Sequence, residues 1–192
     1  MSKDHCHTIN VKKLALCGMM TALAIVFGYV EHLIPLPIGI YGIKLGVANI
    51  SIVIAMYALG GRTALVINTV RILISAMLFG NGISLAYSLC GGLLSTLVMM
   101  LMKRSNRLSC IGVSVCGGIL HNVAQLAVAV AVVDNLKIAF YLPVLLAAGA
   151  TTGFLIGSCS LLVLKNTHIR SITNLNRTSC NPTASDQKKK KI

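Results

Sequence analysis

The chain has 192 residues, of which 56% are hydrophobic and only 11% are charged. Soluble domains carry about 25% charged residues, so this composition excludes an ordinary soluble domain. The formal net charge of +13 would indicate nucleic-acid binding if the basic residues covered a soluble surface, but they lie at the chain ends and in short connections.

Six apolar segments follow one another along the chain, and helices that cross a bilayer need about 20 such residues. Pro35-Leu36-Pro37 ends the first segment, because proline cannot continue the hydrogen bonds of a helix. Gly60-Gly61-Arg62 separates the short second and third segments and is typical of a tight turn. The pattern predicts an all-α polytopic membrane helix bundle of about six transmembrane helices. The segments are Lys13–Ile34, Leu45–Leu59, Thr63–Phe79, Ile83–Met102, Cys110–Val133 and Ile138–Leu164.

The distribution of charge predicts the domain organisation and the orientation in the membrane. We expect a cytoplasmic tail at 1–12, a transmembrane domain at 13–164 and a basic, disordered cytoplasmic tail at 165–192. Of the 17 Lys and Arg residues, Lys44 and Lys137 fall on the outer side, Arg71 falls within the membrane, and all others fall on the inner side. Lys and Arg accumulate in cytoplasmic loops. Both termini are therefore predicted to lie on the cytoplasmic side of a plasma or inner membrane.

Arg71 lies near the middle of the third segment, where an arginine is costly and rare. One interpretation is that its planar guanidinium binds an anionic group of a ligand. The alternatives are a structural ion pair with Glu31, the only acid in any predicted span, or an arginine that extends towards the membrane surface.

The fifth segment carries His121, Asn122 and Gln125, whose spacing places them on roughly one helix face. Such a face either lines a binding site or joins helices through hydrogen bonds.

Near the second segment, Lys44 is predicted at the outer mouth and Asn49 one turn further in. With Arg71 and His121 they would give a substrate-binding cavity a positive bias, opposed only by Glu31, which would suit an anionic or polar small molecule. Lys44 could equally be a solvated loop residue.

Ala15, Gly18 and Ala22 form a small-residue face on the first segment, which would let another helix approach closely.

The cysteines and acids of the sequence do not indicate a metal site or a catalytic site. The seven cysteines include no C-x-x-C pair, and the four acids form no aspartate pair. We therefore expect no cofactor, no metal site and no catalytic residue. A phosphate-binding loop of the G-x-x-x-x-G-K-[ST] type is also missing from the sequence.

Three stretches resemble a known family of membrane proteins. They are KLGVANI at Lys44–Ile50, SLCGGLLS at Ser88–Ser95 and HNVAQL at His121–Leu126. The family is labelled Gx transporter, or heptaprenyl diphosphate synthase component I, and the resemblance covers roughly residues 10 to 165. It is similar in turn to the substrate-binding S components of energy-coupling factor transporters, which are six-helix bundles.

The transporter resemblance implies uptake of a small vitamin-like or precursor-like solute, driven by separate scaffold and ATPase subunits. The small-residue face around Gly18 lies where the first helix of such proteins docks the scaffold. The second label implies a non-catalytic membrane partner of a prenyl diphosphate synthase, because the aspartate-rich motifs of the catalytic enzymes are absent from this sequence. A purely structural membrane subunit is a third alternative.

Overall fold

The computed structural model describes residues 11–33, 46–80, 82–105 and 107–166. All regular structure in these ranges is helical, which confirms the predicted all-α bundle. The helices are α1 (Val11–Leu33), α2 (Val47–Ala58), α3 (Gly61–Phe79), α4 (Gly82–Arg104), α5 (Cys110–Val133) and α6 (Leu142–Asn166), and a 3-10 helix (Leu136–Tyr141) precedes α6. The Pro35–Pro37 break and most of the predicted tails lie outside the described residues. The residues of the predicted tails that are described, 11–12 and 165–166, belong to α1 and α6 instead.

Five helical segments in the described ranges are long and apolar enough to cross a membrane, so this is a multi-pass membrane protein. The shorter helix is α2, with 12 residues. At about 1.5 Å per residue, such a helix is about 18 Å long, well below the hydrocarbon thickness of about 30 Å. The predicted second span is thus represented, in the described part of the chain, by a helix that covers about three fifths of the hydrocarbon thickness.

The short helix α2 lies at the centre of the bundle. Eight of its 12 residues are buried, and it packs against α1, α3 and α6. Helices α3 to α6 pack in sequence, each against the next. Side chains from all six helices meet around α2, and the buried cluster comprises Met20, Ala24, Ile52, Val53, Ile54, Ala55, Met56, Ala64, Ile67, Met99, Val113 and Ile156.

Two glycines with positive φ delimit α2. Gly46, with φ of 69°, precedes its first residue, and Gly60, with φ of 102°, follows its last turn. These backbone angles strain residues that carry a side chain, so glycine is the residue that allows α2 to begin and end there. The predicted turn is therefore tighter than expected, because Gly61 and Arg62 already belong to α3.

Helices α5 and α6 approach each other more closely than ordinary side chains allow. A Cβ atom added to Gly149 would lie 2.7 Å from the carbonyl oxygen of Gly118. A Cβ atom on Gly153 would lie 2.7 Å from the Cα atom of Val115, and one on Gly157 would lie 2.8 Å from that of Ile111. The three glycines of α6, spaced four residues apart, thus permit contact between the two backbones.

The sixth predicted segment, starting at Ile138, needs a correction at its beginning. Residues Leu136–Tyr141 form the 3-10 helix, and α6 starts at Leu142. The Asn135 side chain accepts a hydrogen bond from the Lys137 N–H at 3.0 Å and begins the 3-10 helix. Pro143 lies in the first turn of α6, where its missing N–H costs no helical hydrogen bond.

Candidate functional site

Arg71 is held by amide side chains from two helices. Its Nε donates to Asn68 Oδ1 at 2.9 Å, and its Nη2 donates to Asn49 Oδ1 at 3.1 Å. These bonds use two of the five N–H donors of a guanidinium. The residue remains partly accessible. The structure therefore brings together Arg71 and Asn49, two of the residues singled out in the sequence, at the junction of α2 and α3.

Asn68 belongs to the same cluster, although the sequence reasoning did not identify it. It is 1% exposed, and its Nδ2 donates to the Gly92 carbonyl at 2.9 Å and to Thr96 Oγ1 at 2.8 Å. These two bonds orient the amide so that Oδ1 faces Arg71. The sequence does contain a signal for Asn68, because it lies three residues before Arg71 and so shares a helix face with it.

Glu31 is bonded to the backbone at the start of α2. Its Oε1 accepts a hydrogen bond from the Gly46 N–H at 2.6 Å. A carboxylate at this position satisfies a backbone donor and offsets the positive end of the helix dipole. Arg71 bonds to Asn49, three residues further along the chain than Gly46, so the start of α2 holds one positive and one negative side chain.

The polar residues of α5 face two different neighbouring helices. Gly91 of α4 faces His121 and Gln125, because a Cβ atom at Gly91 would lie 3.1 Å from His121 Cε1 and 2.9 Å from Gln125 Cγ. Asn122 instead faces α6, where its Nδ2 donates to the Leu145 carbonyl at 2.9 Å. His121 and Gln125 thus share a face, while Asn122 joins α5 to α6.

The glycine pair Gly91-Gly92 lies between the two polar groups. A Cβ atom at Gly92 would lie 3.2 Å from Asn68 Nδ2, whereas Gly91 contacts the pair on α5. Because neither glycine carries a side chain, α3 and α5 approach α4 closely on its two sides at this level. Lys44, the remaining predicted site residue, lies outside the described residues.

The predicted docking face lies on the surface of α1. Ala15, Gly18 and Ala22 are all exposed. A Cβ atom at Gly18 would meet nothing within 4 Å. Within the part of the chain that the structure describes, this face is therefore uncovered.

Across the described ranges, no group of three or more His, Cys, Asp or Glu residues is arranged to hold a metal ion. The side chains around Arg71 instead provide a cationic fork and neutral amides. A guanidinium fork matches the geometry of a carboxylate or a phosphate, and the amides fix its orientation.

Comparison with known proteins identifies the family. A search of curated proteins finds no match to this chain. The model of the family described as heptaprenyl diphosphate synthase component I matches residues 20–163, a range that includes α2 to α5 and most of α1 and α6. The chain therefore belongs to the heptaprenyl diphosphate synthase component I family.

Proposed function

We propose that this chain is the substrate-binding membrane subunit of an uptake system for a small vitamin-like or precursor-like solute with an anionic or polar group. The observation that carries the proposal is the arginine cluster, in which Asn49 and Asn68 hold the guanidinium of Arg71 inside an apolar bundle. A charged residue at membrane depth is costly, and such residues commonly mark a substrate pathway.

In this proposal Arg71 binds the anionic group of the solute. Its fork is already held by hydrogen bonds on two helices, so little side-chain freedom is lost when the ligand binds. Glu31, which bonds to the same first turn of α2 as Arg71, balances the charge of the guanidinium. We assign His121 and Gln125, across the glycine pair of α4, to the neutral polar part of the solute.

The energy for transport would come from separate subunits. The sequence lacks a phosphate-binding loop of the G-x-x-x-x-G-K-[ST] type. We assign the exposed face of Ala15, Gly18 and Ala22 to a transmembrane scaffold subunit that ATPases drive, because small residues allow close helix contact. Within the described ranges the three residues are exposed and a Cβ atom at Gly18 would meet nothing within 4 Å, which supports this assignment.

Mass spectrometry of small molecules that co-purify with the protein in mild detergent tests the proposal. We expect an anionic solute to co-purify with the wild-type chain and to be lost from Arg71→Ala. Thr69→Ala is a matched control on the same helix, because the Thr69 hydroxyl bonds to the Leu65 carbonyl of its own helix. Equal recovery of the same solute from wild type and Arg71→Ala would contradict the proposal.

A second function is favoured by the family description. The chain would then be a non-catalytic membrane component of a heptaprenyl diphosphate synthase, and the arginine cluster would bind the diphosphate group of a prenyl lipid. Because its four acids are isolated in the sequence, the chain offers no aspartate pair for magnesium diphosphate.

The two functions differ in an elongation assay with farnesyl and isopentenyl diphosphates and magnesium. Under either function, the purified chain alone should not make a prenyl diphosphate longer than farnesyl diphosphate. Stimulation of a soluble synthase subunit by the chain would favour the second function, whereas elongation by the chain alone would contradict both.

A further inference from the structure

Three exposed arginines lie at one end of the bundle. Arg62 is in the first turn of α3, Arg104 is the last residue of α4, and Arg107 lies in the connection to α5. Contacts between helices bring these segments together, since a Cβ atom at Gly61 would lie 2.5 Å from Met100 Cγ. We call Arg62, Arg104 and Arg107 the arginine face.

Lys103 lies in the same region but has a different role. Its Nζ donates to the Met56 carbonyl at the end of α2 and lies 4.7 Å from the centre of the Tyr57 ring. The last carbonyls of a helix have no partner within it, so Lys103 caps α2. The arginine face, by contrast, is exposed towards the surroundings of the bundle.

The acids of the described ranges, Glu31 and Asp134, lie at the opposite end. Glu31 bonds to Gly46 at the start of α2, whereas Lys103 binds the other end of that helix. Asp134 follows the last residue of α5, and the arginine face lies near its first. Neither described acid therefore neutralises the arginine face.

The arginine face also borders the apolar surface that faces the membrane. Leu101 is 57% exposed and Leu108 is 41% exposed, and they flank Arg104 and Arg107 along the chain. Exposed leucines next to arginines are suited to the boundary between hydrocarbon and headgroups, where long basic side chains reach the polar layer. A soluble acidic protein could bind the arginines, but the neighbouring leucines, buried in lipid, would not contribute to its binding.

We infer that the arginine face binds the phosphate groups of anionic phospholipids in the leaflet at this end of the bundle. Guanidinium groups bind phosphate through paired hydrogen bonds. Each basic residue near an anionic leaflet adds to the attraction, and the attraction falls with ionic strength. The face is separate from the arginine cluster around Arg71 and does not depend on the proposed transport function.

The test compares lipid binding by the full chain and by the triple variant Arg62→Gln, Arg104→Gln and Arg107→Gln. Retention of phosphatidylglycerol is measured by native mass spectrometry, and affinity is measured by titrating phosphatidylglycerol into protein held in a neutral detergent. We expect the triple variant to bind phosphatidylglycerol about a hundredfold more weakly. Binding of phosphatidylcholine should be the same for both proteins.

Lys137→Gln provides a matched control, because Lys137 is an exposed cation beyond the other end of α5. It should bind phosphatidylglycerol like the wild type. If the triple variant does not fold, Arg107→Gln alone and a salt titration of the wild type replace it, with weaker lipid binding expected in both. Unchanged phosphatidylglycerol binding by the folded variants would overturn the inference. Equal competition by inorganic phosphate, or preference for an acidic peptide over phosphatidylglycerol, would overturn it as well.

Discussion

Arg71 is the residue on which the proposed binding site depends, and its loss should affect ligand affinity and stability differently. Arg71→Ala removes the partner of two asparagine oxygens, whereas Arg71→Gln removes the charge and keeps a hydrogen-bonding side chain. A charge-assisted contact contributes about 1.5–3 kcal/mol, so both variants should bind the co-purified ligand at least about tenfold more weakly. Ligand titration and thermal unfolding, measured on the same preparations, check this prediction.

The structural alternative makes a different prediction for the same variants. If Arg71 serves only to balance Glu31, its loss leaves a poorly solvated carboxylate, and the free energy of unfolding should fall while ligand affinity stays normal. A destabilised variant that binds like the wild type would remove Arg71 from the site. The control Thr69→Ala should change neither quantity by much, because its hydroxyl bonds within its own helix.

At the scale of the helices, the contact between α5 and α6 should be the least tolerant of added volume. A side chain at Gly153 must displace the backbone of Val115 and Ser114, whose atoms lie 2.7 Å and 2.8 Å from the position of a Cβ atom. Overpacking a well-packed interior costs about 1–3 kcal/mol or more. Gly153→Leu should therefore lower the unfolding temperature in detergent by about 5 °C or more.

Gly18→Leu is the matched control for this prediction. A Cβ atom at Gly18 meets nothing within 4 Å, so the same substitution on α1 should leave the unfolding temperature of the isolated chain nearly unchanged. Equal unfolding temperatures for Gly153→Leu and the wild type would show that α5 and α6 can separate at little cost.

At the scale of the whole molecule, the orientation in the membrane stays a prediction that labelling can check. In a cysteine-free background, Lys137→Cys should react with an impermeant maleimide in intact cells, because the positive-inside rule puts this end outside. Arg107→Cys, beyond the other end of α5, should react only after permeabilisation. The reverse pattern would mean that the chain is inserted the other way round.

The sequence predicts the helical segments of this bundle well, because long apolar runs have few other solutions in a bilayer. The range predicted for α5, Cys110–Val133, coincides with the observed helix. What it could not predict is which polar side chains meet. The bond between Arg71 and Asn49 joins residues on different helices, and the direction of Asn122 towards α6 depends on helix rotation. Sequence spacing sets neighbours within one helix and leaves contacts between helices open.

The close backbone contact between α5 and α6 has a consequence for how the protein is made. These helices follow each other in the chain and are joined by the short 3-10 helix Leu136–Tyr141. Their contacts at Gly118 and Gly149 involve the backbones directly. Two neighbouring spans with complementary surfaces can pair as soon as both have entered the bilayer, before the rest of the bundle is arranged. The hairpin of α5 and α6 is therefore expected to assemble as a unit during biosynthesis. It should then pack as a preformed unit against the other four helices, α1 to α4.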